Sequence, residues 1–210
     1  FSDILNMKKV AAETVSSQWG EYSNSYLTLI NIPLPLSSAT SSAMMPEIAS
    51  RYITKQFDSA NRKINEGIQL TMFLCIPAAV GLAVLGFPIV GILFPRSTDL
   101  SGQLLMAGAV TVVFSALSTI TNGVLQAIGQ PKLPLRNSAI SLILNVITVA
   151  VCAYFFPQMG VFSVLLASLV FAVCMCVLNA MSLRKYLGHK NDFINGYGKP
   201  FLAAAGMGVT

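Results

Sequence analysis

The chain has 210 residues, of which 54% are hydrophobic and 10% are charged, and its formal net charge is +5. An ordinary soluble domain, in which about a quarter of the residues are charged, is excluded. Four charge-free stretches each exceed the roughly 20 residues that are needed to cross a bilayer. They lie between Glu21 and Glu47, Glu66 and Arg96, Asp99 and Lys132, and Arg136 and Arg184. The sequence therefore predicts an all-α, polytopic membrane helical bundle.

The N-terminal segment, residues 1–25, predicts the end of a preceding helix followed by an extracytoplasmic loop. Trp19, Tyr22 and Tyr26 belong to the residue types that favour the membrane–water interface. The chain begins with phenylalanine, and residues 200–210 predict the start of a truncated transmembrane helix. From these two features we expect a piece of a longer membrane protein.

Residues 26–46 predict the first transmembrane helix, although Pro33 and Pro35 interrupt its hydrogen-bond ladder. Residues 47–66 predict a cytoplasmic amphipathic helix, because their apolar residues recur every three or four positions. This pattern is typical of a helix that lies on an anionic membrane surface, and a solvated connector helix is the open alternative. The predicted surface-binding residues are Arg51, Lys55, Arg62 and Lys63.

Four more transmembrane helices are predicted further along the chain, at residues 67–95, 103–128, 135–156 and 161–183. A cytoplasmic loop, residues 184–199, follows the last of them. Proline removes a helical hydrogen bond and bends the chain, which makes it a candidate hinge between two transport states. The predicted hinges are Pro33, Pro35, Pro77 and Pro88.

Lysine and arginine are divided unequally between the two sides of this topology. The segments 47–66, 129–137 and 184–199 hold ten of the 13 basic residues. Because basic residues concentrate in cytoplasmic loops, this side is predicted to face the cytoplasm. Basic residues outside the N-terminal segment lie mainly in these membrane-flanking loops, so nucleic acid is not an expected partner.

The orientation can be tested by labelling single engineered cysteines in intact cells with an impermeant thiol reagent. Cysteines placed at Lys55, Lys132 and Lys190 should be shielded, and one placed at Ser97 should react. The unmodified chain is the control, because it contains four native cysteines. Labelling of the first three positions from outside would overturn the predicted orientation.

Reactive side chains are scarce in the predicted spans. The four cysteines, Cys75, Cys152, Cys174 and Cys176, lie in apolar stretches and lack metal-ligand spacing with His189, so free thiols are expected. The sequence shows neither a nucleophile–base pair nor a phosphate-binding glycine loop, and no carboxylate lies at membrane depth. We therefore predict a protein that is not an enzyme and that uses no metal or cofactor.

Uncharged polar residues instead form stripes on three predicted helices, at spacings of three and four. The stripes are Asn31, Pro35, Ser38 and Ser42; Thr111, Ser115, Ser118, Asn122 and Gln126; and Asn137, Ser141, Asn145, Thr148 and Cys152. Such groups either pack helices together or face a wet cavity, because an unpaired amide in hydrocarbon is costly. The predicted cavity residues are Asn31, Ser38, Ser42, Asn122 and Gln126.

The sequence contains LPLSSATSSAMMPEIAS at residues 34–50, NGVLQAIGQPK at residues 122–132, and a helix at 67–95 that ends in Leu-Phe-Pro. These three segments resemble the polysaccharide flippases, the stage V sporulation protein B-like branch of the multidrug/oligosaccharidyl-lipid/polysaccharide exporter superfamily. Residues 34–50 resemble a helix of that branch that precedes a charged cytoplasmic helix. Residues 122–132 resemble its G-x-L-Q-x-x-G-x-P-K/R turn, and the Leu-Phe-Pro at the end of the helix at 67–95 also matches. The order of these features resembles the C-terminal half of such a flippase.

This resemblance implies a two-lobed multi-pass protein of the bacterial cytoplasmic membrane, of which the chain would form the C-terminal lobe. It also implies that an undecaprenyl-linked oligosaccharide or a lipid II-like cell-wall precursor is flipped by alternating access. The implied partners are this substrate and membrane lipids. The alternatives are a cation-coupled multidrug exporter of the same superfamily, a membrane-embedded glycosyl-transfer enzyme, and a non-transporting scaffold for cell-wall or spore-coat assembly.

Overall fold

The computed structural model describes residues 19–20, 22–94, 99–155 and 161–187. These residues are almost all helical and include no strand. A π-helical turn, Tyr22–Tyr26, precedes seven α-helices: α1 Leu27–Ile30, α2 Leu34–Ile53, α3 Phe57–Val84, α4 Gly86–Leu93, α5 Asp99–Ala127, α6 Lys132–Phe155 and α7 Val161–Leu187. The predictions for residues 1–18, for Ser97, and for residues 188–210 with His189 and Lys190 lie outside the described residues.

Within the described ranges, four helices are long and apolar enough to cross a membrane: Phe57–Val84, Asp99–Ala127, Lys132–Cys152 and Val161–Leu187. This finding confirms the predicted all-α polytopic membrane bundle. The predicted helix at 26–46 is not among the four. Serine, threonine and proline dilute the apolar character of its sequence, and the chain there is divided into the π-helical turn, α1 and α2.

The break between α1 and α2 lies at residues 31–33, where proline cannot donate a backbone hydrogen bond. The Leu29 carbonyl, which the residue at position 33 would pair in a regular helix, instead accepts from the Ile32 N–H at 3.2 Å. Pro33 caps α2 and Pro35 occupies its first turn, where a missing N–H costs nothing. The predicted interruption of the hydrogen-bond ladder at Pro33 and Pro35 is therefore a break between two helices.

The predicted surface helix at 47–66 is not continuous in the structure, because residues 54–56 divide it. The first part continues α2 through Pro46, and the second part begins α3. The Gln56 N–H donates to the Arg51 carbonyl at 2.9 Å and the Lys55 N–H donates to the Tyr52 carbonyl at 3.1 Å, with Lys55 at φ +58°. These bonds form a Schellman motif, which ends α2. The segment is a tight corner between two packed helices.

The predicted helix at 67–95 is likewise divided, between Val84 and Gly86. Pro88 explains the position, because it cannot donate to the carbonyl of Val84 four residues earlier and its ring crowds that carbonyl. Pro77, in contrast, lies inside α3 without ending it. Whether any of the four prolines acts as a hinge stays a prediction.

Helix α5 is the centre of the bundle and packs on α2, α3, α4 and α7. More than half of its apolar segment is buried, compared with 17% for α6. Helix α6 packs mainly on α7, along a single face, and most of its large apolar side chains are exposed. The core has two parts, one near each end of the bundle.

One part of the core joins the described portions of the three segments that are predicted to be cytoplasmic. Ile48, Ile64 and Leu187 are buried together in it, and Leu133 packs against them. The Asn61 side-chain amide also donates to the Leu187 carbonyl at 3.1 Å. The three segments therefore meet at the same end of the bundle, as the predicted alternation of loops requires.

Candidate functional site

A cleft of about 370 Å³ lies among the π-helical turn, α1, α5, α6 and α7. It reaches α5 and α6 near the middle of each helix. Every residue that lines it is uncharged. The lining residues are Tyr22, Tyr26, Leu27, Ile30, Asn31, Leu34, Thr111, Val112, Ser115, Asn145, Ser168 and Phe171.

Two tyrosines of the π-helical turn form one wall of the cleft. The Tyr22 and Tyr26 rings are stacked with their centroids 5.1 Å apart, and Trp19 lies against Tyr22 at 5.5 Å. Tyr26 is almost completely buried because its ring lies on the backbone of Gly108 in α5, where a Cβ atom would overlap it. The Tyr22 hydroxyl also lies 3.3 Å from the Ser168 hydroxyl of α7. These contacts fix the turn against two membrane helices.

Asn31 lines the cleft at the break between α1 and α2. Its side-chain N–H donates to the Leu27 carbonyl at 2.7 Å, and its backbone N–H donates to the same carbonyl at 3.2 Å. Its side-chain oxygen is thereby left to accept a hydrogen bond. Broken membrane helices are tolerated where the irregular backbone lines a cavity, which is the situation found here.

The opposite walls contribute further neutral polar groups. Ser115 of α5 and Asn145 of α6 are half-buried at the cleft, and Ser168 of α7 donates to the Val164 carbonyl at 2.9 Å. Together with the tyrosine hydroxyls, they offer hydrogen-bond donors and acceptors without a fixed charge. The cleft can therefore replace the hydration of a neutral polar group but cannot neutralise a phosphate.

Ser38 and Ser42, two other predicted cavity residues, do not line this cleft. They lie on an exposed face of α2, together with Pro35. Their neighbours Ser37 and Ser41 face inward instead: the Ser37 hydroxyl lies 3.3 Å from the Cys75 sulfur of α3, and Ser41 lies against Gly123 of α5. That Ser38 and Ser42 face a larger cavity stays a prediction.

Asn122 takes part in a buried polar network between α5, α6 and α7. The side-chain N–H groups of Asn179 donate to Asn122 Oδ1 at 2.7 Å and to Thr121 Oγ1 at 3.1 Å. Asn137 in turn donates to Asn179 Oδ1 at 2.9 Å and to Ser182 Oγ at 3.2 Å. For Asn122 this arrangement corresponds to helix packing, the alternative to a position facing a wet cavity. Gln126, the remaining predicted cavity residue, is exposed one turn further on.

The predicted membrane-surface cations fall into two groups at the corner between α2 and α3. Arg51 donates to the hydroxyl and carbonyl of Ser59 and pairs with Glu47, and Lys63 pairs with Glu66 at 2.8 Å and with Glu47 at 3.7 Å. Each of these two cations is partly buried and ion-paired across or along the corner. Lys55 and Arg62 are exposed, and Arg62 lies 3.9 Å from Glu66. Contact of the four cations with an anionic membrane surface stays a prediction.

Several cleft residues were not among the predicted cavity residues. Tyr22 and Tyr26 have the composition of an interfacial belt, and only the three-dimensional contact with Gly108 shows that they are buried. Asn145 lies on a predicted polar stripe of α6. Toward the N-terminus of α6 this stripe packs on α7, and at Asn145 it borders the cleft. Asn179 belongs to none of the predicted polar stripes, because the helix around it is apolar apart from scattered serines.

The fold and the cleft together define a polytopic α-helical membrane protein with a neutral polar site inside the bundle. The family model described as lipid II flippase MurJ matches residues 9–206. The chain belongs to the MurJ lipid II flippase family, and with its four apolar helices it is a multi-pass membrane protein.

Curated relatives agree with this assignment. The chain is 24% identical over 122 residues to lipid II flippase MurJ of Bacillus subtilis, covering 57% of this chain and 22% of that protein. It is 26% identical over 156 residues to a probable lipid II flippase MurJ of Vibrio cholerae, covering 70% and 29%. It is 27% identical over 162 residues to a probable low-salt glycan biosynthesis flippase, Agl15, of Haloferax volcanii, covering 77% and 34%.

The chain spans between about a fifth and a third of the length of these relatives. No solved structure matches it.

Proposed function

We propose that the protein flips a lipid-linked glycan precursor, an undecaprenyl-linked oligosaccharide or a lipid II-like cell-wall precursor, across the bacterial cytoplasmic membrane. Transport would occur by alternating access, without enzymatic chemistry. The observation that carries this proposal is the uncharged polar cleft at mid-depth between α5, α6 and α7. The names of the relatives, which are flippases of lipid II or of a glycan pathway, support the same class of substrate.

The physical requirement for such transport is replacement of water around a sugar. A buried hydroxyl without a hydrogen-bond partner costs about 1–3 kcal/mol, so a sugar crossing the bilayer needs partners along its route. The side chains of Asn31, Ser115 and Asn145 can supply them. Because these groups are neutral, they hold the sugar weakly enough to release it. The cleft volume also lies within the range of small-molecule sites, about 300–1,000 Å³.

The exposed face of α2 supports a route that extends beyond the cleft. Ser38 and Ser42 lie on this face with small neighbours. On α6, in contrast, the exposed residues are large and apolar, as lipid contact favours. A hydroxyl-bearing face is better suited to water or to a polar substrate than to acyl chains.

The resemblance of residues 34–50 and 122–132 to the stage V sporulation protein B-like branch supports a finer assignment. On that basis we place the chain in the C-terminal lobe of a two-lobed flippase of this branch. The anionic pyrophosphate of the substrate would then be bound elsewhere, because the cleft contains no cation.

The test uses the whole protein, as its cells express it, reconstituted in proteoliposomes. It measures transport of a fluorescent lipid-linked precursor. Asn31→Ala and Asn145→Ala should each lower the flipping rate about three- to tenfold, which corresponds to the loss of one hydrogen bond of about 0.5–1.5 kcal/mol. Gln126→Leu, outside the cleft, tests the larger predicted cavity. Folded yield should be unchanged for all three.

The matched control is Ser138→Ala, since Ser138 does not line the cleft and its hydroxyl donates to the Leu135 carbonyl of its own helix. The rate for this variant should equal that of the unmodified protein. Normal flipping by well-folded Asn31→Ala and Asn145→Ala would remove the cleft from the transport route. A fall in folded yield parallel to the fall in rate would instead assign both residues to packing.

A further inference from the structure

The amide network between α5, α6 and α7 contains one side-chain atom whose hydrogen bonding is incomplete. Asn137 is 1% exposed and Asn179 is 0% exposed, so neither reaches solvent or lipid. Asn137 Oδ1 is buried and has no hydrogen-bond partner within the part of the chain that the structure describes. More than nine in ten buried polar groups in proteins are hydrogen-bonded, so this oxygen requires an explanation.

Turning the Asn137 amide does not solve the problem. Its N–H groups donate to Asn179 Oδ1 and Ser182 Oγ. A flip would place Oδ1 against Asn179 Oδ1, and two carbonyl oxygens repel each other. The observed orientation is therefore the favourable one, and the lone pairs of Asn137 Oδ1 face away from the other amides.

Three of the remaining members donate their hydrogen atoms to other groups. The N–H groups of Asn179 are directed to Thr121 and Asn122. The Thr121 hydroxyl donates to the carbonyls of Leu117 or Ser118, and the Ser182 hydroxyl donates to the Leu178 carbonyl. No side chain of the network, Asn122 included, lies within hydrogen-bond distance as a donor to Asn137 Oδ1, so its donor must come from outside this set.

We propose that the Asn137 side-chain oxygen binds one buried water molecule, which donates to it at the junction of α5, α6 and α7. Water suits the position because it is small, neutral and a donor, and because buried waters typically serve polar groups that the protein leaves incomplete. A cation is unsuitable, because it needs several oxygen ligands. The network offers only Asn137 Oδ1, and its other amide oxygens already accept hydrogen bonds from within the network. The site is separate from the cleft and does not depend on the proposed function.

The first test is the density of the unmodified protein in a structure at about 2 Å resolution or better. A water peak should lie 2.7–3.2 Å from Asn137 Oδ1, the ordinary hydrogen-bond range. A protein donor within that range, or a dry apolar contact, would overturn the proposal.

The second test compares the thermal unfolding midpoints of Asn137→Ala and Asn137→Leu. At a hydrated junction the alanine variant should be the more stable one, because further water can enter and pair with Asn179 and Ser182, whereas leucine excludes it. At a dry junction the order reverses, because leucine fills the space in which alanine leaves a cavity. Equal midpoints, or a higher midpoint for leucine, would refute the water site. If neither variant folds, the density of the unmodified protein decides.

Discussion

The Gly108→Ala variant is expected to lose folded yield and transport together. A Cβ atom at this position would overlap the ring of Tyr26, and a phenol ring cannot yield as a flexible chain end can. The side chain of Tyr26 must leave its buried site, which dissolves its stack with Tyr22 and opens that wall of the cleft. Overpacking of this kind costs about 1–3 kcal/mol or more. Thermal unfolding in detergent and the flipping assay measure the two losses.

Gly81→Ala is the matched control, because a Cβ atom at Gly81 meets nothing within 4 Å. This variant should be as stable as the unmodified protein or slightly more stable, since alanine is the better helix former by about 0.5–1 kcal/mol. Combining Gly108→Ala with Tyr26→Ala supplies the second check. If the overlap with Tyr26 is the cause, the double variant should be more stable than the sum of the two single changes predicts. Strict additivity would show that Gly108 matters for another reason.

The Asn179→Leu variant is expected to destabilise the bundle more than any other polar substitution among the described residues. Asn179 hydrogen-bonds to Thr121, Asn122 and Asn137, and so joins three helices. Hydrogen bonds between membrane helices average about 0.6 kcal/mol, so three contribute roughly 2 kcal/mol, and amides left unpaired add to the loss. For a chain of this size that corresponds to a fall of roughly 4–8 °C in the unfolding midpoint.

Asn145→Leu is the same chemical change at a position with a different role. Asn145 is half-buried at the cleft, and its side chain makes no hydrogen bond within the described ranges. Its midpoint should therefore stay within about 2 °C of the unmodified protein, while flipping falls. Equal destabilisation by both substitutions would show that burial of any asparagine, rather than the network, sets the stability.

Two helix ends show why part of the fold can be predicted from sequence and part cannot. Helix α5 ends in a Schellman motif at Gly129, with φ +75°, and the sequence Gly-Gln-Pro predicts a turn there because glycine adopts this conformation without strain. Helix α2 ends in the same motif at Lys55, where the residue type favours continuing the helix. The corner at Lys55 is stabilised by the contact of Arg51 with Ser59 across it and by a contact distant in sequence, that of Asn61 with the Leu187 carbonyl.

Part of the candidate site could likewise be predicted from the sequence, and part could not. Asn31 could be predicted, because an amide beside two prolines in an apolar stretch needs a polar neighbourhood. Tyr22 and Tyr26 could not, since their burial depends on the missing side chain of Gly108, which is more than 80 residues away. Periodicity places Asn122 on a helical face but does not identify its partner. That partner, Asn179, is visible only when the helices are packed.

Helix α6 joins the bundle mainly through its contact with α7, so it can tilt about the end that is fixed. Its N-terminal end is fastened to Asn179 and Ser182 of α7 through Asn137, whereas Asn145, near its middle, borders the cleft. With a rise of 1.5 Å per residue, the distance along the helix from Asn137 to Cys152 is about 22 Å, so a tilt of about 10° about the fastened end displaces the far end by roughly 4 Å. A rotation that leaves every amide bond of the junction intact would thus alter the width of the cleft by more than the diameter of a water molecule.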